Sequence, residues 1–160
     1  MPGAVLDTGF FLAISQRGRF DRRYARRLLR RASQRQYDFH ISALALAECA
    51  DHLSHSQPRL PLNAWLHSVE VQTFIEVSSS VTIHPANARS LLTAATMKRD
   101  YINSTPRHEP TLTDAATAEL ADVLHAELLV TDDLRDFSRL LPDFDGEILS
   151  PAELIHALGG

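Results

Sequence analysis

Five short runs rich in Val, Ile and Leu, each followed at once by a stretch with helical spacing, limit what this chain can fold into more than anything else in it. Val5-Leu6 precedes a helix predicted over 8–15. "YDFHIS" (37–42) precedes "ALALAECADHL" (43–53), with Ser42 placed to cap the helix. "SVTIH" (80–84) precedes a helix that starts near Pro85 and runs to about Tyr101. "ELLVT" (127–131) precedes a short helix over 134–141. "GEILS" (146–150) precedes a helix opened by Pro151. Further helices are expected over 20–32, 62–74 and 114–126, the last with Thr111 or Thr113 as cap. Strands that are apolar throughout are covered on both faces, and strands that alternate with helices are joined by crossovers. The pattern therefore predicts an α/β fold with a mainly parallel central sheet and helices on both sides. The chain has 160 residues and no internal repeat or low-complexity linker, so one domain over 1–160 is expected.

Composition narrows the compartment more than the function. Hydrophobic residues make up 44% and charged residues 22%, as in an ordinary soluble protein. The single cysteine, Cys49, forms no internal disulfide, which fits a reducing cytoplasm. No signal-peptide pattern opens the chain, and no apolar run is long enough to span a bilayer. A net charge of -4 supplies no bulk attraction to nucleic acid. The average hides an asymmetry, however. Arg19, Arg22, Arg23, Arg26, Arg27, Arg30, Arg31 and Arg35 crowd one stretch, while acids gather from Asp114 to Glu153. On a 3.6-residue period these arginines share the outer side of the 20–32 helix. Three readings are open for that side: a solvated face, a contact to RNA phosphates, or a dock for an acidic partner segment.

The acids follow a rule of position. In an open parallel sheet, ligands bind beyond the carboxyl ends of the strands. Asp7 ends the first strand, and Asp132 and Asp133 follow the "ELLVT" strand. Asp114 opens a helix, and Glu48 lies in the helix after "FHIS". All are candidates for one rim. Two unit charges about 4 Å apart repel by roughly 1 kcal/mol in water and about 4 kcal/mol at an effective dielectric of 20. A divalent cation relieves that repulsion. Oxygen-only donors favour Mg²⁺ or Mn²⁺ over zinc, and those ions suit phosphodiester hydrolysis. Each acid also has a structural role open to it: Asp7 as a helix cap, Asp114 as a first-turn acid, Asp132 and Asp133 as caps of the next helix, Glu48 as a solvated side chain. Glu48, His52 and His55 share helical spacing but lack the second-His geometry of the helical zinc motif.

Four stretches, "VLDTGFFLA", "ISALALAECA", "LTDAATAELADVLHAELLVTDD" and "RDFSRL", in this order and spacing, resemble the PIN-domain nucleases, and among them the VapC-type toxins of bacterial toxin-antitoxin pairs. The resemblance implies a three-layer α/β/α sandwich and a metal-dependent endoribonuclease. Its acidic quartet falls on Asp7, Glu48, Asp114 and Asp133, with Mg²⁺ or Mn²⁺ as cofactor. It places Thr131, in the family's Thr-any-Asp motif, as the holder of the attacking water, with Thr8 as a further hydroxyl beside Asp7; Asp132 takes the variable middle position. It also implies an RNA substrate, a cognate antitoxin partner and a homodimer. The chain departs from the pattern in its long, proline-bearing "NSTPRHEPT" loop and in the spacing from Asp133 to Phe137. The rival expectations are a non-catalytic PIN-like binding module and a structure-specific DNA nuclease.

Overall fold

Alternate residues of the central strands feed two cores, one on each side of a single sheet. Ala4 and Leu6 of β1 (Gly3–Leu6) are buried in one core, and Val5 in the other. The computed structural model describes residues 3–15, 27, 30, 34, 37–55, 57–104 and 109–157, with the side chains of 12–15 and 155 left out. The first core also takes Phe10 and Phe11 of α1 (Thr8–Ser15), Phe39 and Ile41 of β2 (Asp38–Ser42), and Ala45 and Cys49 of α2 (Ala43–His55). After α3 (Leu62–Leu66), Val77 of α4 (Val69–Ser78) joins the same core. The chain then passes through β3 (Thr82–His84) to α5 (Ala88–Ser104).

The second core gathers Tyr101 of α5, Ala118, Leu120 and Ala121 of α6 (Leu112–Val123), and Phe137 and Leu140 of α7 (Leu134–Leu140). Between these helices β4 (Leu128–Val130) sends Leu128 and Val130 to the first core and Leu129 to the second. Finally β5 (Glu147–Leu149) leads to α8 (Pro151–Ala157), whose Leu154 returns to the first core. The five strands lie in the order β3-β2-β1-β4-β5, and every neighbouring pair is parallel. Val5 is in register with His40 on one side and Leu129 on the other. This is the expected α/β/α sandwich. Its strand order reverses direction between β1 and β4, the place where a parallel sheet opens a crevice.

Within the described residues the expected elements are present, with local corrections. The helix expected over 62–74 is two helices, because Ser68 takes up extended backbone and its hydroxyl accepts the Val71 N–H at 3.4 Å, starting α4 afresh. Ser80 closes the end of α4 by donating its N–H to the Val77 carbonyl, so β3 begins two residues later than expected. Asn87 and Ser90 exchange side-chain and backbone hydrogen bonds, which starts α5 at Ala88 and leaves Pro85 outside it. Thr111 is the cap of α6 and sets its start at Leu112 instead of Asp114. The arginine-rich helix expected over 20–32 lies outside the described residues, apart from Arg27 and Arg30, both helical and exposed. Among the described residues, no helix is long and apolar enough to cross a membrane.

Candidate active site

Asp7 stands where β1 stops and α1 begins, and its backbone N–H still donates to Val130 of β4 at 3.0 Å. That bond fixes the residue at the seam of the two central strands. Its side chain is only 6% exposed. One carboxylate oxygen accepts the Thr8 N–H at 2.7 Å and the other accepts the Thr131 hydroxyl at 2.8 Å. Two hydrogen bonds do not offset the loss of water. Burial pushes the Asp7 carboxyl up to about 7; the Thr131 and Thr8 bonds work against this, and the nearby Asp114 and Glu48 add to it. Beside it the Thr8 hydroxyl is buried with no hydrogen-bond partner, as is that of Thr117.

The stretch after β4 is built around Thr131, which is fully buried. Its hydroxyl donates to Asp7 and accepts the Asp133 N–H at 3.0 Å. Asp133 caps α7 by accepting the Asp136 N–H at 3.1 Å. A cap of this kind leaves the carboxylate lone pairs to spare. Asp132 is exposed, and its carboxylate lies against α1, where a Cβ added to Gly9 would meet it at 3.4 Å.

A fifth acid enters here that sequence reasoning missed. Asp136 is 6% exposed, and the Tyr101 hydroxyl donates to it at 2.6 Å. The Asp133 carboxyl, though its residue is exposed, is raised above its ordinary value first by partial desolvation and then by its closeness to Asp136 and Asp114. The clue in the sequence was the pair Asp133 and Asp136, three residues apart and so on one face of a helix. Tyr101 gave no signal beyond an apolar position on α5.

Glu48 and Asp114 approach from α2 and α6. Glu48 is half-exposed, with one oxygen 3.9 Å from His52 one turn on. Asp114 forms a capping box with Thr111: its N–H donates to the Thr111 hydroxyl at 3.1 Å, and its carboxylate accepts the Thr111 N–H at 3.3 Å. Burial raises its pKa first, and Glu48 and Asp136 raise it further. Cys49, fully buried, donates to the Thr8 carbonyl at 3.5 Å; burial, then Asp7 and Glu48, push its thiol up to about 12. A thiol held neutral is no nucleophile.

At one end of the sheet Asp114 and Glu48 thus act on Asp7, Glu48 and Asp136 on Asp114, and Asp136 and Asp114 on Asp133. They do not close up. Among the described residues, no three His, Cys, Asp or Glu side chains converge as a metal-holding group. Asp7, Asp114 and Asp133 are each held by hydrogen bonds of their own, and like charges gain nothing by closing further. The donor types nevertheless fit a hard divalent cation: carboxylates and hydroxyls, with one buried hydroxyl lacking a partner. A cavity of about 460 Å³ lies elsewhere, at the opposite end of the sheet, between Glu127, Leu128, Gly146 and Glu147 where β4 and β5 begin. The chemistry and that cavity are separate.

A parallel sandwich with acids at its switch point defines a class of α/β proteins whose ligand site lies beyond the strand ends. The sequence matches the PIN domain family model over residues 4–140, and the chain belongs to that family. Solved structures of similar fold include VapC20 of Mycobacterium tuberculosis, described as a sarcin-ricin loop cleaving toxin. It is 18% identical, with 88% of this chain and 95% of that one covered, at a TM-score of 0.60. A protein of Pyrobaculum aerophilum is 16% identical over 99% and 97% of the two chains, at 0.66. VapBC2 of Rickettsia felis, solved on a DNA fragment from its promoter, is 16% identical over 92% and 96%, at 0.61. No curated protein sequence matches this chain.

Proposed function

We propose that the protein is a Mg²⁺- or Mn²⁺-dependent endoribonuclease and the toxin of a toxin-antitoxin pair. The observation that carries this reading is the buried Asp7 carboxyl, pushed up to about 7 beside Asp114 and Glu48 at the central strand ends. A fold keeps a carboxyl in so unfavourable a place, desolvated first and crowded by like charges second, where something else relieves it. Asp7, Glu48, Asp114 and Asp133 are the residues that would hold the cation, which when bound supplies positive charge to the scissile phosphate and acidity to water. Thr131 orients Asp7 through its hydroxyl and keeps one lone pair with which it would hold a water. Thr8 has a spare hydroxyl for the same task. Family membership supports the nuclease reading, and the toxin-antitoxin neighbours support a cognate antitoxin as partner. A homodimer working in the cytoplasm completes the proposal.

The direct test incubates purified protein with labelled RNA, single-stranded and structured, in Mg²⁺, in Mn²⁺ and in EDTA. Cleavage in either metal and none in EDTA is expected. Equal cleavage in excess chelator ends the metal reading. Cleavage of DNA with RNA intact moves the substrate to DNA. Binding without cleavage under every condition leaves a PIN-like binding module.

A further inference from the structure

We infer that Tyr101 is a positioning residue for the acidic site, acting through Asp136. The inference rests on the metal-dependent reading above. Tyr101 lies on α5, an element that contributes none of the proposed ligands, and it is 2% exposed. A buried phenol must place its hydroxyl on a partner, and this one donates to Asp136 Oδ1 at 2.6 Å. A bond of that length to a carboxylate is charge-assisted and directional. Asp136 is buried in turn, and its own N–H is held by Asp133 at the cap of α7. The phenol, the fifth acid and a proposed ligand thus form one chain of contacts.

The consequence is mechanical. A carboxylate among like charges turns away from them unless something holds it. With one oxygen anchored by Tyr101, Asp136 is held near Asp133 and Asp114, both of which feel its charge. Groups behind a metal's ligands in this way set ligand direction, and their loss typically weakens metal binding about 10–100-fold.

The experiment measures Mn²⁺ affinity by electron paramagnetic resonance, with melting curves in EDTA alongside, for wild type, Tyr101→Phe, Asp136→Asn and the double variant. Tyr101→Phe keeps the ring in the core and removes only the hydroxyl. About a tenfold loss of Mn²⁺ affinity is expected for it. Because Tyr101 acts through Asp136, the double variant should bind no more weakly than Asp136→Asn alone. Wild-type affinity in Tyr101→Phe overturns the inference, as do losses that multiply in the double variant. A loss matched by an equal fall in metal-free melting temperature also overturns it, since that is plain destabilisation. Wild type that binds no Mn²⁺ overturns the metal reading itself, and this result is read before any variant is compared.

Discussion

Asp7 makes the residue-scale physics testable without any substrate. Its folded pKa, about 7, lies above the unfolded value near 3.9, so between those values the native state holds the extra proton. This contribution to stability is full below the unfolded pKa and is lost as pH rises through about 7. Metal-free wild type should therefore lose melting temperature from pH 5 to pH 8, and Asp7→Asn should lose less of it. At pH 8 in EDTA the variant should melt higher than wild type while cleaving no RNA. Mg²⁺ should raise the melting temperature of wild type more than that of the variant. If Asp7→Asn melts lower in EDTA and Mg²⁺ shifts both alike, Asp7 is only a structural turn residue. A second comparison separates its neighbours. Both are exposed, but Asp133 is tied to Thr131 and Asp136, whereas Asp132 lies over Gly9. Asp133→Asn should abolish cleavage and Asp132→Asn should leave most of it; the reverse result would exchange the two assignments.

At the scale of elements, what could be read in the sequence was whatever rests on local chemistry. The runs "ELLVT" and "VL" announced β4 and β1 because a strand covered on both faces is apolar throughout. The acids at their ends followed from sheet geometry. The break between α3 and α4 was hidden, because Trp65 to Phe74 keeps a helical period across it and only Ser68 betrays the restart. Asp136 was hidden for a different reason. An acid inside "RDFSRL" looks like the polar side of a helix until the bulk of α5 is known to cover it. Capping gives a test at this scale. Thr111→Ala removes the acceptor of the Asp114 N–H and should cost about 1 kcal/mol of stability. It should also lower cleavage further than that loss explains, since Asp114 is released from its box. Denaturant midpoints and initial rates on the same preparations decide it; a normal rate would mean Asp114 needs no such anchoring.

At the scale of the whole molecule, the proposed site gathers positions far apart in the chain. Asp7 follows β1, Glu48 rides on α2, Asp114 opens α6 and Asp133 caps α7. Only the parallel sheet and its two cores bring them to one end. Mn²⁺ binding should therefore vanish at the same urea midpoint as the helical signal, with no partly folded form that still binds. At the other end of the sheet the packing is tight around Gly146, where an added Cβ would come within 2.5 Å of the Ala126 carbonyl and 2.8 Å of that of Glu127. Both atoms are backbone and cannot swing aside. Gly146→Ala should lower the melting temperature while the surviving folded fraction keeps wild-type Mn²⁺ affinity, because the strain lies at the opposite end from the acids.

Cys49 offers a practical use that has nothing to do with catalysis. It is the sole thiol in the chain, wholly covered, and tied to the first turn of α1 through the Thr8 carbonyl. An alkylating reagent reaches it only when that cover opens, and parting α1 from α2, which would also separate Asp7 from Glu48, is one such opening. The rate of labelling is therefore a clock for that opening, available in the unaltered protein with no dye engineered in. Mg²⁺ should slow the clock, and so should any partner that clamps the two helices together.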